Sequence, residues 1–255
     1  MLIKLMKYEL FDIFKSKWLI FIFLFYSFIG YIFSYFGKEL TRAILSHANV
    51  SLITLSLFSI LFSSTYIYNN TKFIEFIITQ PVKRKTIFIS IFLSITLSLT
   101  ISFSIGSFLP FFYFYSFNFN YLKILFLNCF IIPLFVSLGM FLAIIERDKL
   151  KGIGFAILIW LFTCALYDSI LLYITIAFSS YPIEKIIIFL TLINPLDSFR
   201  LITLMDTGLY EIMGFVGKWL LKYFSNFWII SIILSLIYTA FFTLLSIFIF
   251  ERKDF

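Results

Sequence analysis

Long apolar runs separated by short polar segments dominate the chain. A transmembrane helix needs about 20 predominantly apolar residues, and six runs meet that length. The six runs lie at about 18–36, 48–68, 87–109, 122–145, 153–178 and 228–250. The pattern therefore predicts an all-α integral membrane protein, with six transmembrane helices in a single domain over residues 1–255.

The connections between the runs differ in length and character. The aromatic stretch 110–121 is typical of an interfacial belt between the third and fourth spans. The only long connection is 179–227, and its apolar piece Ile186–Ile193 is too short to cross a membrane. With the turn at Asn194–Pro195, this region is predicted to form a re-entrant or interfacial helical pair. His47 is expected in the outer loop before the second span.

Residues 2–16 show a helical period before the first span. Their apolar side chains form one stripe on a helical wheel, namely Leu2, Ile3, Met6, Leu10, Ile13 and Phe14. The other side carries the polar residues Lys4, Glu9, Asp12, Lys15 and Ser16. This pattern predicts an amphipathic helix in the membrane interface. A simple positive flank would explain the lysines but not the stripe.

Composition agrees with a membrane location. Hydrophobic residues make up 62% of the chain and charged residues 13%, whereas a soluble domain carries roughly 25% charged residues. The net charge of +7 comes from cations at the ends of the apolar runs. Such cations orient spans, so the charge does not predict a nucleic-acid partner. The chain is therefore predicted to be surrounded by membrane lipid.

The lysines and arginines are distributed unequally between the two sides. Thirteen lie in the terminal segments and the connections 69–86 and 146–152, and seven lie on the opposite side. By the positive-inside rule, both termini and the connection 69–86 are predicted to be cytoplasmic in a multi-pass protein of the cell membrane.

The connection 69–86 has a helical pattern of its own. Glu75 sits among the apolar residues Phe73, Ile74, Phe76, Ile77 and Ile78 and is expected to be buried. Gln80–Pro81 should end this helix, since proline removes a donor and restricts the residue before it. An ordinary loop would explain the cations Lys83–Lys85 but not the helical pattern. The segment is therefore predicted to dock a cytoplasmic partner.

Asp168 is an ionisable residue within the fifth run, where charge is costly. It is interpreted either as a polar residue of a translocation path or as an interhelical carboxylate bonded to Tyr or Ser, or wetted near the outer interface. Catalytic, metal-binding and phosphate-binding motifs are absent from the sequence, and Gly217–Lys218 lacks the required upstream glycine. The chain is not predicted to be an enzyme, to bind a metal or to hold a cofactor.

Three segments together resemble a known family. They are KYELFDIFKSKW at 7–18, EFIITQPVKR at 75–84 and NPLDSFR at 194–200, and Tyr167–Asp168 and the terminal 250–254 also fit. In this order, they resemble permease subunits of ABC-2 type ATP-binding-cassette transporters, particularly the NosY-like branch.

The resemblance implies an ABC-2 permease fold and the export of an unidentified substrate. It also implies a second permease copy, in a homodimer or heterodimer, and separate cytoplasmic ATPase subunits that hold ATP and Mg²⁺. The connection 69–86 corresponds to the family's coupling helix. The implied ATPase contacts are Glu75, Phe76, Gln80, Pro81 and Arg84. The family-like residues of the outer region are Asn194, Pro195, Asp197 and Arg200.

Two other classes remain open from the sequence. An ATPase-independent membrane transporter is expected to carry more intramembrane charge than Asp168 alone. A membrane scaffold or assembly protein would leave the helical pattern at 69–86 without a purpose.

Overall fold

The computed structural model describes residues 2–37, 39–178, 181, 183–207 and 227–252. All regular structure in these ranges is helical. The helices are α1 Leu2–Phe14, α2 Lys17–Phe36, α3 Leu40–Asn69, α4 Thr71–Ile78, α5 Arg84–Tyr115, α6 Phe119–Cys129, α7 Ile131–Ile145, α8 Lys149–Leu161, α9 Tyr167–Ala177, α10 Glu184–Ile193, α11 Pro195–Asp206 and α12 Phe227–Arg252. A π-helical turn, Phe162–Leu166, joins α8 to α9.

Six helical segments are long and apolar enough to cross a membrane. They are α2, α3, α5, α6 with α7, α8 with α9, and α12. Because lipid offers no hydrogen-bond partner, spanning backbone must satisfy its own polar groups, as helices do. The prediction of an all-helical chain with six apolar helices of membrane-spanning length is confirmed for the described residues, and it fits a multi-pass membrane protein. A seventh span exists if the bent pair α10–α11 is counted as one.

The spans form an inner and an outer group. The share of an apolar 18-residue stretch that is buried is 61% in α3, 61% in α5 and 72% in α6–α7. The corresponding shares are 28% for α2, 17% for α12 and 6% for α8–α9. The inner group therefore makes the core, while most of the surface of the outer spans is left for lipid or for other protein.

Two glycines let inner helices approach their neighbours closely. A Cβ at Gly106 of α5 would lie 2.8 Å from the Phe23 carbonyl oxygen of α2. A Cβ at Gly139 of α7 would lie 2.5 Å from the Ile60 carbonyl oxygen of α3. Small residues at such crossings allow the backbone contact that drives helix association in lipid.

Gly139→Ala is expected to destabilise the chain by about 2 kcal/mol, because the added methyl overlaps the α3 backbone. The loss corresponds to a fall of about 4–8 °C in the Tm of the purified protein. Gly154→Ala is the matched control, since a Cβ there meets nothing within 4 Å. Equal Tm values for the two variants would contradict the close α3–α7 contact.

The second span begins earlier than predicted. Helix α3 starts at Leu40 rather than near residue 48, which places His47 inside the helix with 2% of its surface exposed. The imidazole packs against the rings of Phe103, Phe111 and Tyr121. The expectation of an outer-loop histidine is wrong, because hydropathy does not register aromatic packing around a polar ring.

The third span also continues further than predicted. Helix α5 runs through Pro110 to Tyr115, so the first half of the expected interfacial belt is helical. The Pro110 ring faces Gly30 of α2, where a Cβ would come within 3.1 Å of it. The chain turns at Ser116, which has a positive φ of 59°.

One end of the bundle gathers both described chain ends and most of the cations. Here Lys149 donates to the Asn69 side chain at 2.8 Å, and Tyr68 donates to the Glu146 carbonyl at 3.1 Å. We call this the basic end, formed by α1, α4, the connection 146–148 and the end of α12. The connections 69–86 and 146–152 therefore lie together.

Helices α10 and α11 form the helical pair that the sequence predicts. They meet at Asn194 with a bend of 114°. Asn194 caps α11 by accepting from the Leu196 amide, and Pro195 takes the first helical position. The remainder of the predicted outer region, residues 208–226, lies outside the described residues.

Candidate functional site

Helix α4 turns one face into the bundle and the other outward. Ile74 and Ile77 are buried, as their spacing of three residues on a helix allows. Glu75 and Phe76 point away from the bundle, and 63% of the Phe76 surface is exposed. The expectation of a buried Glu75 is wrong, because the two isoleucines alone provide the inward face.

The segment after α4 extends this outward surface. Helix α4 ends at Ile78, two residues before the predicted stop. The Gln80 amide still donates to the Ile77 carbonyl at 3.0 Å, which holds the chain in a tight turn. Gln80 and Pro81 are both exposed. We call Glu75, Phe76, Gln80 and Pro81 the α4 surface.

The α4 surface is held in place from two sides. The Phe73 ring stacks on Tyr8 of α1 with 5.5 Å between ring centroids. Ile74 and Ile77 belong to the same core cluster as residues of α3 and α5. Helix α4 therefore packs against α1 and against two inner spans, α3 and α5.

Arg84, the fifth predicted contact, is oriented differently. Its guanidinium donates to the Glu251 carbonyl at 3.2 Å, near the end of α12. The last carbonyls of a helix have no intrahelical partner, and an arginine commonly satisfies them. Arg84 thus ties the start of α5 to α12, while the other four predicted residues share the α4 surface.

Glu9 lies on the inward face of α1, where it is buried and accepts a hydrogen bond from the Tyr66 hydroxyl of α3. The prediction that Glu9 lies on the polar, outward side of α1 is wrong. Leu2 and Glu9 are seven residues apart, which is nearly two turns, so both face the same way. The inward face centres on Glu9 and Ile13, while Ile3 remains exposed.

Burial raises the pKa of Glu9 above that of an exposed glutamate; the Tyr66 hydrogen bond opposes the shift, and nearby Asp12 adds to it. A raised pKa means that the folded state binds the proton more tightly than the unfolded state does. The resulting stabilisation is complete at acidic pH, below the unfolded pKa, and is lost as pH rises through the raised pKa.

We therefore expect the Tm of the wild-type chain to fall as pH rises through this range, and the Tm of Glu9→Gln to fall less. Glu75→Gln serves as the control, because Glu75 is exposed. Thermal unfolding of the three proteins across a series of mildly acidic to neutral buffers measures the difference. Parallel curves for wild type and Glu9→Gln would contradict the buried position of Glu9.

A second group of polar side chains meets where the fifth span passes α11. Arg200 donates to Asp168 at 2.7 Å and to Asp197 at 3.1 Å. The Asn194 amide donates to Asp197 at 2.7 Å and to the Thr163 carbonyl at 2.8 Å. We call these five residues the ionic network. It connects the family-like residues of the outer region to Asp168.

The π-helical turn at 162–166 contributes to this arrangement. The Tyr167 amide donates to the Phe162 carbonyl, five residues back, and the Thr163 carbonyl receives the Asn194 amide. Tyr167 donates its hydroxyl to the Leu190 carbonyl of α10. π-Bulges occur often at functional sites. Here the turn fixes the fifth span against the helical pair.

The structure pairs Asp168 with a cation of the helical pair. Its carboxylate bonds to Arg200 rather than to Tyr or Ser, and 38% of its side chain is exposed. Asp197 is only 6% exposed, and Arg200 is 28% exposed. One cation therefore faces two carboxylates in a partly buried setting. Sequence reasoning named all three residues but missed their pairing.

An apolar cavity of about 260 Å³ lies beside the ionic network. Its polar wall residues are Thr163, Tyr167, Asn194 and Tyr238. The Tyr238 hydroxyl donates to the Ile193 carbonyl at 3.0 Å. The side chains of the other three polar residues also donate hydrogen bonds to backbone carbonyls of the protein. The cavity therefore offers an apolar surface to a ligand.

Metal binding finds no support in the part of the chain that the structure describes. It holds no group of three or more His, Cys, Asp or Glu side chains placed to bind a metal ion.

No family model matches this sequence. No curated protein matches it either.

Proposed function

We propose that this chain is the permease subunit of an ABC-2 type ATP-binding-cassette transporter of the NosY-like branch. It would export an unidentified substrate across the cell membrane, as one of two permease copies. Separate cytoplasmic ATPase subunits would bind ATP and Mg²⁺. The observation that carries this proposal is the α4 surface, which combines an exposed Phe76 with a firmly packed inner face.

The unequal distribution of cations supports a cytoplasmic position for this surface. Twelve lysines and arginines of the described residues lie in the ranges 2–17, 69–86 and 146–152 and at the end of α12, which meet at the basic end. By the positive-inside rule, such an end is expected in the cytoplasm. Both termini then face the cytoplasm, and the α4 surface is accessible to an ATPase.

Coupling would proceed through the contacts of α4. When the ATPase subunits close on nucleotide, they would push on Phe76 and its neighbours. Ile74 and Ile77 would pass the displacement to α3 and α5, because buried packed side chains are poorly compressible. Helix α3 lies close to α7 at Gly139, so the movement would reach the third inner span.

The three charges of the ionic network are the observation that bears on a second candidate, an ATPase-independent transporter. The network contains Asp168, Asp197 and Arg200 rather than the single charge that the sequence indicates, and intramembrane charges commonly mark ion pathways. The network nevertheless bonds to itself and to protein backbone. A structural role for it agrees better with these contacts.

Co-purification tests the proposed function. The tagged chain, expressed with the ATP-binding-cassette ATPases of its own genome, is expected to retain one of them. The variant Glu75→Arg/Pro81→Ala should lose that ATPase, because it reverses a charge and alters the turn on the exposed surface. Retention by the variant would reject α4 as the docking site, and failure of the wild type to retain any would favour the second candidate.

A further inference from the structure

A groove of about 610 Å³ opens between the ends of α7 and α12 at the basic end. Its walls are apolar and its rim carries two arginines. The lining residues are Ile144, Ile145, Arg147, Phe248, Ile249 and Arg252. None of these residues belongs to the α4 surface or to the ionic network.

The two guanidiniums are available to an anion. Arg252 lies over the Phe248 ring, with its guanidinium carbon 4.0 Å from the ring centroid. Arg147 is exposed directly after α7. Within the described residues, neither guanidinium forms an ion pair with a carboxylate.

The acidic residues beside Arg147 are engaged elsewhere. Glu146 accepts a hydrogen bond from the Asp148 amide at 3.1 Å, and Asp148 accepts from the Leu150 amide at 2.9 Å. These bonds hold both carboxylates at the start of α8. The rim of the groove therefore has a positive charge that the neighbouring acids do not neutralise by direct pairing.

The position of the groove identifies the level of the membrane that it meets. Arg147 and Arg252 stand at the ends of two spans, where long cationic side chains reach the head-group region. Ile145 and Phe248 are exposed just below them, at the level of acyl chains. An occupant must combine an anionic head with an apolar tail.

We infer that this groove binds an anionic glycerophospholipid. The planar guanidinium forks match phosphate oxygens in pairs, and the apolar walls receive an acyl chain. Basic pockets between membrane helices recognise anionic lipid head groups on this principle. The site requires only that the chain lies in a membrane, so it does not depend on the proposed ATPase.

Native mass spectrometry of the purified full chain tests the site, with equal amounts of phosphatidylglycerol and phosphatidylcholine that have the same acyl chains. The wild type is expected to retain phosphatidylglycerol preferentially. Arg147→Gln/Arg252→Gln should reduce the bound ratio of the two lipids about fivefold for each arginine removed. Lys4→Gln/Lys7→Gln, which removes the same charge from exposed positions of α1 outside the groove, should reduce the ratio much less.

Four results would overturn the proposal. The first is an unchanged lipid ratio in the arginine variant, and the second is an equal loss of phosphatidylglycerol in the arginine and lysine variants. The third is displacement of the lipid by excess inorganic phosphate alone. The fourth is a wild-type dimer that contains no lipid and that the arginine variant does not form, which would assign the groove to a second copy of the chain. If the double variant does not fold, Arg147→Gln alone should show about a fivefold loss, and retention of the wild-type ratio would reject the site.

Discussion

Arg200→Ala is expected to destabilise the folded chain by about 3 kcal/mol. Removing one partner of a buried ionic pair leaves an uncompensated charge, and such losses typically reach about 3–5 kcal/mol. The lower end applies, because 38% of the Asp168 side chain is exposed and water screens it. Asp197 is only 6% exposed, so water would not screen its charge after the loss of Arg200.

Thermal unfolding of the purified chain measures this effect as a fall in Tm of about 6–12 °C. Arg42→Ala is the matched control, since Arg42 pairs with Glu39 at 3.1 Å with both side chains well exposed. An exposed pair of this kind contributes about 0–1 kcal/mol. Equal Tm values for the two variants would contradict the ionic network.

A double-mutant cycle separates the Asp168–Arg200 contact from general damage. Asp168→Ala alone should cost less than Arg200→Ala, because Asp168 is the more exposed partner. If the two residues bond as the structure shows, Asp168→Ala in the Arg200→Ala background should cost less again. Strictly additive changes in the free energy of unfolding would show that they do not interact.

If an ATPase subunit docks on the α4 surface as proposed, Phe76→Ala is expected to weaken its binding by about 2 kcal/mol, or about 30-fold in Kd. Exposed aromatic anchors that enter a partner's pocket commonly carry most of the energy of an interface. The folded chain should retain its stability, because the Phe76 ring lies outside the core. The effect should therefore appear in binding and not in Tm.

Phe11→Ala provides a control for the loss of an exposed aromatic ring. Phe11 lies on α1 at the same basic end and is 64% exposed, against 63% for Phe76. Titration of the ATPase against the chain in lipid nanodiscs should give a wild-type Kd for Phe11→Ala. Equal weakening by both variants would point to general surface hydrophobicity rather than to docking on α4.

The sequence predicts the spans and α4 because both follow from periodic apolar residues. Ile74 and Ile77 face inward as a helical period requires, and the turn at Gln80–Pro81 follows soon after the helix ends. The sequence does not predict the depth of Glu9 and His47. Their burial depends on partners far along the chain, Tyr66 for the carboxylate and aromatic rings for the imidazole.

The ionic network shows the same limit at the candidate site. Asp168 and Arg200 stand 32 residues apart, and both interrupt apolar surroundings, which is the signal that would have suggested a pair. Their contact also needs the π-helical turn and the bend of 114° before Pro195. Of these two features, only the bend has a sequence signature, since Asn-Pro with Asp in the first turn is typical of a helix start.

Photo-crosslinking from position 76 tests docking on α4, because it captures whichever molecule contacts that position in the membrane. A photoreactive phenylalanine analogue replaces Phe76 in the full chain in its native membrane, and the same analogue replaces Phe11 in the control. We predict that position 76 captures an ATPase with a Gly-x-x-x-x-Gly-Lys-Ser/Thr loop and that position 11 does not. Capture of lipid alone at position 76, or of the same proteins at both positions, would contradict docking on α4.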